Sequence, residues 1–271
     1  MGSFHQSWRQ LLLLSSLFLL HSLTTYPAVS GIFYTLCPNP GNYAANGTFE
    51  ANLSHLISSL SASAPVTGFA NDTVGLGPDQ VFGLAQCRGD LTEEQCGVCL
   101  AAGVEEVTRL CPYKKAAVMW NETCHLRYSN QRFFGKLRGQ KLIRWITKNV
   151  TSDPNFDRIL LGLLDGLTAR AAVSPRMFAT GKTKVDVYDL YGLVQCTRDL
   201  ALDVCGQCLK TAIGDVQRYC EGKQGAWVIE GAATSGTVFS HSSTAPLAAA
   251  AEPYAGGRPS QNKGFVLGNL I

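Results

Sequence analysis

The sequence predicts an α+β fold: two tandem, small, disulfide-rich domains, each with two helices packed on an antiparallel β-sheet. The first observation behind this is a repeat. Val81–Leu100 reads VFGLAQCRGDLTEEQCGVCL, and Leu190–Leu209 reads LYGLVQCTRDLALDVCGQCL, with ten of twenty positions identical. The shared skeleton is C-x8-C-x2-C, followed in each copy by a further cysteine, Cys111 and Cys220. Recurrence at a fixed offset of 109 residues means a duplicated domain, and 271 residues suit roughly two domains. The second observation is that helical and strand-like patterns fall in separate runs rather than strict alternation, which favours an antiparallel sheet. The third is the cysteine usage itself, ten in the chain.

Residues 1–30 read as a secretory signal peptide. Arg9 precedes the apolar run Leu11–Leu20, and small residues at Ala28 and Ser30 form a cleavage pattern before Gly31. A membrane anchor would need a longer run, about 20 apolar residues. All ten cysteines lie beyond this leader and so reach an oxidising compartment. No transmembrane segment is expected after its removal. Net charge is +3 with no Lys/Arg run, which argues against nucleic acid as a partner.

Residues 31–136 form the first unit. Phe33 and Tyr34 lead a strand into Cys37, and Pro38 and Pro40 force a loop. Phe49, Leu53, Leu56, Ile57 and Leu60 recur at helical spacing, and Pro65 is expected to close that helix. Val81–Gln86 reads as a strand or a helix start, and Glu93–Leu110 as a second helix. Ala116–Trp120 and Cys124–Tyr128 are expected to pair as a hairpin, with Arg132-Phe133-Phe134 extending the sheet. Residues 137–152, polar and basic around Trp145, read as a linker. The second unit, 153–231, starts with Asp153 as N-cap and Pro154 at the first helical position. Phe156, Ile159, Leu160, Leu163, Leu164 and Leu167 repeat the apolar stripe, and Pro175 closes it. A strand at Ala226–Ile229 follows. There the echo stops, with Ala233 at the position of Cys124, so the second unit reads as incomplete or divergent at its end. Residues 232–271, rich in Ala, Ser, Gly and Pro, read as a disordered tail.

Six cysteines in the first unit (37, 87, 96, 99, 111 and 124) allow fifteen connectivities. Zinc competes for the C-x2-C pairs, but His55, His125 and His241 are scattered rather than at ligand spacing. A redox C-x-x-C also competes, although the pair sits within a longer cysteine ladder. No metal or cofactor is expected. In the second unit Cys196 and Cys205 match Cys87 and Cys96 and can pair. Cys208 and Cys220 lack counterparts for their partners, and a helix between them would hold them about 18 Å apart, too far to bridge each other. Their state stays open between free thiols, pairing between chains and an altered C-terminal segment. Five sequons at Asn46, Asn52, Asn71, Asn121 and Asn149 point to glycosylation of the first half.

These motifs resemble the plant cysteine-rich repeat secretory proteins, built from two ginkbilobin-like (stress-antifungal) domains, over about residues 31–230. The resemblance implies Cys37–Cys111, Cys87–Cys96 and Cys99–Cys124 as the pairing. It also implies an apoplastic location. The ginkbilobin type binds mannose through an Asn, an Arg and a Glu, whose positions here are Pro38, Val118 and Ser129. None of these supplies the same donors and acceptors. No G-x-S-x-G, H-E-x-x-H or phosphate loop is present. Glu93, Glu94, Glu105 and Glu106 read as a solvated helix face. The leading expectation is therefore a non-enzymatic, secreted protein that binds a ligand or receptor ectodomain in defence or stress responses. The alternatives are a cell-wall or microbial carbohydrate bound elsewhere, around Trp120 or Arg127, and a thiol redox sensor using Cys208 and Cys220.

Overall fold

The computed structural model describes residues 33–38, 40–137, 141–145, 154–186, 188–223, 225–230 and 233–235. The leader, Asp153, Asn149 and the tail beyond Ser235 lie outside the described residues. The first unit runs β1 (Tyr34–Leu36), α1 (Thr48–Thr67), β2 (Phe69–Val74), β3 (Val81–Cys87), α2 (Glu93–Leu110), β4 (Ala116–Trp120) and β5 (Cys124–Ser129). Its strands form one antiparallel sheet in the order β1-β4-β5-β3-β2.

Side chains alternate across this sheet, so each strand serves two faces. One face receives the stripe of α1 (Phe49, Leu53, Leu56, Leu60, Ala64) and α2 (Leu100, Val107), packed with Val81, Ala85, Met119, Leu126 and Tyr128. The helix approaches closely at Gly83, where a β-carbon would stand 2.6 Å from a Leu56 methyl. Its repeat counterpart Gly192 meets Leu167 at 2.8 Å in the same way, which accounts for glycine in both copies. Two expectations need correction here. Pro65 lies inside α1, because its missing N–H costs only one bond in the last turn. The helix ends instead at Gly68, φ 78, whose N–H donates to the Ala64 carbonyl. Arg132–Phe134 do not extend the sheet, since the chain turns at Gly135 (φ 69). Phe133 tucks inward there under the Arg127 guanidinium, 4.0 Å from the ring centroid. The start of α2 is fixed by a capping box, with Gln95 N–H donating to Thr92 Oγ1 and Thr92 N–H to Gln95 Oε1.

The second unit runs β6 (Lys141–Trp145), α3 (Phe156–Ala171), β7 (Phe178–Val185), β8 (Tyr188–Gln195), α4 (Leu202–Tyr219), β9 (Ala226–Glu230) and β10 (Ala233–Ser235). Lys141–Trp145, within the stretch read as a linker, is therefore a strand of this unit, antiparallel to β9 as β1 is to β4. α3 begins at Phe156 behind Asn155, and Pro154 sits in the turn before it rather than at the first helical position. Ala233–Ser235, within the stretch read as a tail, pairs with β9 in the place β5 takes beside β4. Among the described residues no strand joins β9 to β8, so β10-β9-β6 and β7-β8 stand as two sheets.

The helices of each unit cover one face of its strands. The opposite faces meet each other. Val118, Trp120, Tyr34 and Leu36 of the first unit form one buried cluster with Leu142, Trp227 and Ile229 of the second. The order of layers is thus helices, sheet, sheet, helices.

Candidate functional site

The helical geometry of α2 explains the C-x8-C-x2-C motif. Cys96 and Cys99, three residues apart, lie on the same helix face. Cys96 reaches Cys87 at the end of β3, and Cys99 reaches Cys124 at the start of β5. The C-x2-C pair is thereby divided between two disulfides and cannot act as a dithiol or a metal ligand pair. Cys37–Cys111 ties the loop after β1 to the end of α2, and Cys196–Cys205 repeats the Cys87–Cys96 bridge. Cys208 and Cys220 are both buried. Burial, with Asp215 nearby, pushes the Cys220 thiol up to about 11. Thiolate is the reactive form, so this environment suppresses the chemistry that a sensor requires. We expect alkylation of native protein to leave Cys220 unmodified and denaturation to expose it; fast labelling of Cys220 in the native state would contradict this.

Between the two units lies a polar seam built from repeat-equivalent positions. The Gln86 amide donates to the Cys196 carbonyl at 2.8 Å, and the equivalent Gln195 donates to the Cys87 carbonyl at 2.9 Å. Gln86 Oε1 also accepts the Arg198 N–H at 3.0 Å. Flanking arginines repeat the reciprocity. Arg176 donates to the Gly89 carbonyl, and Arg198, the counterpart of Gly89, donates to the carbonyl of Thr67, the counterpart of Arg176. Phe178 packs on Gly89, where a β-carbon would come within 2.5 Å of the ring. Glutamine at both positions was visible as repeat identity, but its bridging role has no local sequence signal.

The seam decides the fate of several sequence candidates. Val118 is buried in the inter-unit cluster, Ser129 is buried with its hydroxyl accepting from Gln131 N–H, and Pro38 lies in the loop two residues beyond β1. The positions that carry mannose binding in the ginkbilobin type are thus unmatched in chemistry, and Val118 is covered as well. Trp120 is buried in the same cluster and stacks on His125, ring centroids 5.7 Å apart. Burial first, and the Arg127 charge second, lower the His125 pKa to about 3, so it is neutral at any ordinary pH. Arg127 lies over Phe133. Trp120 therefore offers no open face to a sugar, and the half-buried Arg127 is already engaged by the Phe133 ring.

The sequons separate by exposure. Asn46 and Asn71 are exposed. The Asn52 amide donates to the Asp79 carbonyl at 2.9 Å and is half-buried. Asn121 is only 2% exposed, with its Oδ1 accepting from Thr123 N–H and hydroxyl, so the fold leaves no room for a glycan there. Glycopeptide mapping is expected to find sugar at Asn46 and Asn71 and none at Asn121.

Among known families, the one described as "Salt stress response/antifungal" matches residues 36–131 and 145–234. The chain is 37% identical to the "Antimicrobial ginkbilobin-2-like protein" of Castanea crenata, over 79% of this chain and 90% of that protein. It is also 37% identical to "Cysteine-rich repeat secretory protein 38" of Arabidopsis thaliana, over 74% of this chain and 81% of that one. The crystal structure of the tandem DUF26 ectodomain from the Arabidopsis thaliana cysteine-rich receptor-like protein PDLP8 superimposes with a TM-score of 0.65. The identity there is 27%, covering 76% of this chain and 97% of that one.

Proposed function

The chain belongs to the salt stress response/antifungal family of tandem cysteine-rich repeat proteins, and from that premise we propose that it acts outside the cell as a non-catalytic module binding a receptor ectodomain in defence or stress. It is a secreted, extracellular protein, like the relatives named secretory. The observation that carries the reading is the seam. Reciprocal Gln86 and Gln195 bonds and the Trp120–Trp227 cluster make the two units one body presenting a fixed outer surface. Pre-organisation of this kind lowers the ordering cost of association. The likeness to a receptor-like ectodomain supports a partner of that type. No described helix is long and apolar enough to cross a membrane.

The test is surface-plasmon binding of the intact secreted protein to a panel of purified cysteine-rich receptor-like ectodomains. Saturable binding that weakens in a Gln86→Leu/Gln195→Leu variant supports the reading; no binding across the panel sinks it. A second reading, carbohydrate binding, is favoured by the exposed Tyr113 of the first unit.

A further inference from the structure

Tyr113 and Gly222 occupy the same turn in the two units. Each lies two residues after the cysteine that ends its helix, and each turn closes with the same bond, Lys114 N–H to the Cys111 carbonyl and Lys223 N–H to the Cys220 carbonyl. Each also adopts a left-handed backbone, φ 61 at Tyr113 and φ 66 at Gly222. Glycine meets that requirement without strain, whereas the β-carbon and ring of tyrosine make it an outlier. The turn itself does not need a tyrosine, as the second unit demonstrates. Strain held by a bulky residue where glycine suffices points to a role for the side chain.

Tyr113 is 49% exposed, and its ring does not stand alone. Tyr43 meets it edge to face with centroids 5.8 Å apart, and Tyr43 in turn stacks on Phe49 at 5.3 Å. Beside them the Lys114 ammonium donates to Asn42 Oδ1 at 2.9 Å. The support is rigid. Tyr43 N–H donates to the Tyr113 carbonyl and Lys115 N–H to the Gly41 carbonyl, while the Tyr128 hydroxyl donates to the Lys114 carbonyl. The Cys37–Cys111 disulfide fastens the same two segments. In the second unit Phe156 begins the buried helix stripe as Phe49 does in the first, whereas Gly222 stands at the position of Tyr113, so the exposed tyrosine is what sets the first unit apart.

We propose that Tyr113 and Tyr43, rimmed by Asn42 and Lys114, form a carbohydrate subsite for a pyranose ring of an extracellular polysaccharide. The exposed tyrosine ring offers an apolar face to the C–H face of the sugar, and its hydroxyl a polar tip. The Asn42 amide supplies donors and an acceptor, and the Lys114 ammonium supplies donors to ring hydroxyls. Lys114 adds attraction for the carboxylate of a uronic acid sugar, which separates acidic from neutral polymers. This subsite shares no residue with Pro38, Val118 and Ser129. The inference rests on the carbohydrate reading and not on the receptor reading, and the ectodomain assay stays independent of it.

The experiment uses the secreted protein after enzymatic removal of its own glycans, so that sugar on nearby Asn46 does not compete. Saturation-transfer NMR and calorimetry are run with a chitin hexasaccharide, a β-1,3-glucan hexasaccharide and an oligogalacturonide. Binding of at least one is expected, with saturation transfer from tyrosine ring protons. Tyr113→Gly, which copies the second unit, is expected to keep the melting midpoint and weaken binding at least tenfold. Tyr113→Asn, which also tolerates the left-handed region, serves as the second variant. Lys114→Gln is expected to weaken the oligogalacturonide more than the neutral sugars if the acidic polymer is the ligand. Failure of all three sugars to bind, or folded Tyr113 variants that bind as tightly as wild type, would overturn the proposal.

Discussion

Replacing Cys37 and Cys111 together by serine is expected to cost the first domain about 4 kcal/mol, read as a lowered urea midpoint with a steeper slope, because the unlinked denatured chain is less compact. The two cysteines are 74 residues apart. In the chain-entropy account, a cross-link of that span restricts the unfolded ensemble far more than a short one. The Cys87–Cys96 bridge spans only 9 residues, and its removal is expected to cost about 2–3 kcal/mol. A typical domain has only about 5–15 kcal/mol in total, so the long bridge decides whether the domain stays folded under mild denaturation. The ranking is the test: a short bridge costing as much as the long one would refute the entropic explanation here. The second domain provides an internal comparison, since its single described bridge is the short Cys196–Cys205. Its amides are expected to exchange through openings of lower free energy than those of the first. The same substitution would loosen the loop carrying Tyr43 against Tyr113, so sugar binding is expected to fall with stability.

The parts of the fold legible in the sequence were those set by local periodicity. Phe49, Leu53, Leu56 and Leu60 announced a helix because burial on one side of a 3.6-residue repeat requires that spacing. The range Glu93–Leu110 was legible from a mixed apolar pattern, whereas the capping box of Thr92 and Gln95 that fixes its start emerged only in the structure. Strand β6 was not. Lys141-Leu-Ile-Arg-Trp places charges beside apolar residues in a basic stretch, and its partner β9 lies more than eighty residues away. Pairing across that distance leaves no trace in a short window. Pro65 misled because proline's cost depends on whether the lost bond lies in the interior or in the last turn, which composition alone does not state.

The candidate sites follow the same division. The disulfide framework was legible through cysteine spacing and resemblance, because a cysteine's role is carried by its identity. The glutamines were not, because an amide's role depends on which carbonyl faces it across the seam. Tyr113 was hidden for a third reason. A backbone angle is invisible in residue type, and only the comparison with Gly222 in the structure shows that the ring is held against its preference. The asparagine sequons show the converse error: the tripeptide at Asn121 is intact, yet its side chain is committed to Thr123 inside the fold.

Replacing Gln86 by leucine is expected to cost about 3 kcal/mol and to convert one cooperative unfolding transition into two. Leucine matches the volume but returns no hydrogen bond. It leaves the Cys196 carbonyl and the Arg198 N–H without the partners Gln86 supplies, in a seam closed to water. Each buried group so orphaned costs about 1–3 kcal/mol. Gln195→Leu removes the reciprocal bond to the Cys87 carbonyl, so the two single losses fall on opposite ends of a shared seam and are expected to be non-additive. The apolar cluster of Trp120, Trp227 and Ile229 persists in both variants. It is non-directional and can hold the faces together without fixing their register. The domains are therefore expected to stay in contact but to unfold separately, the second first, since it carries fewer bridges. Calorimetry reads the split directly. A single transition at the wild-type midpoint in the double variant would show that the apolar cluster alone couples the domains. In that case the ectodomain binding surface would survive the substitutions as well.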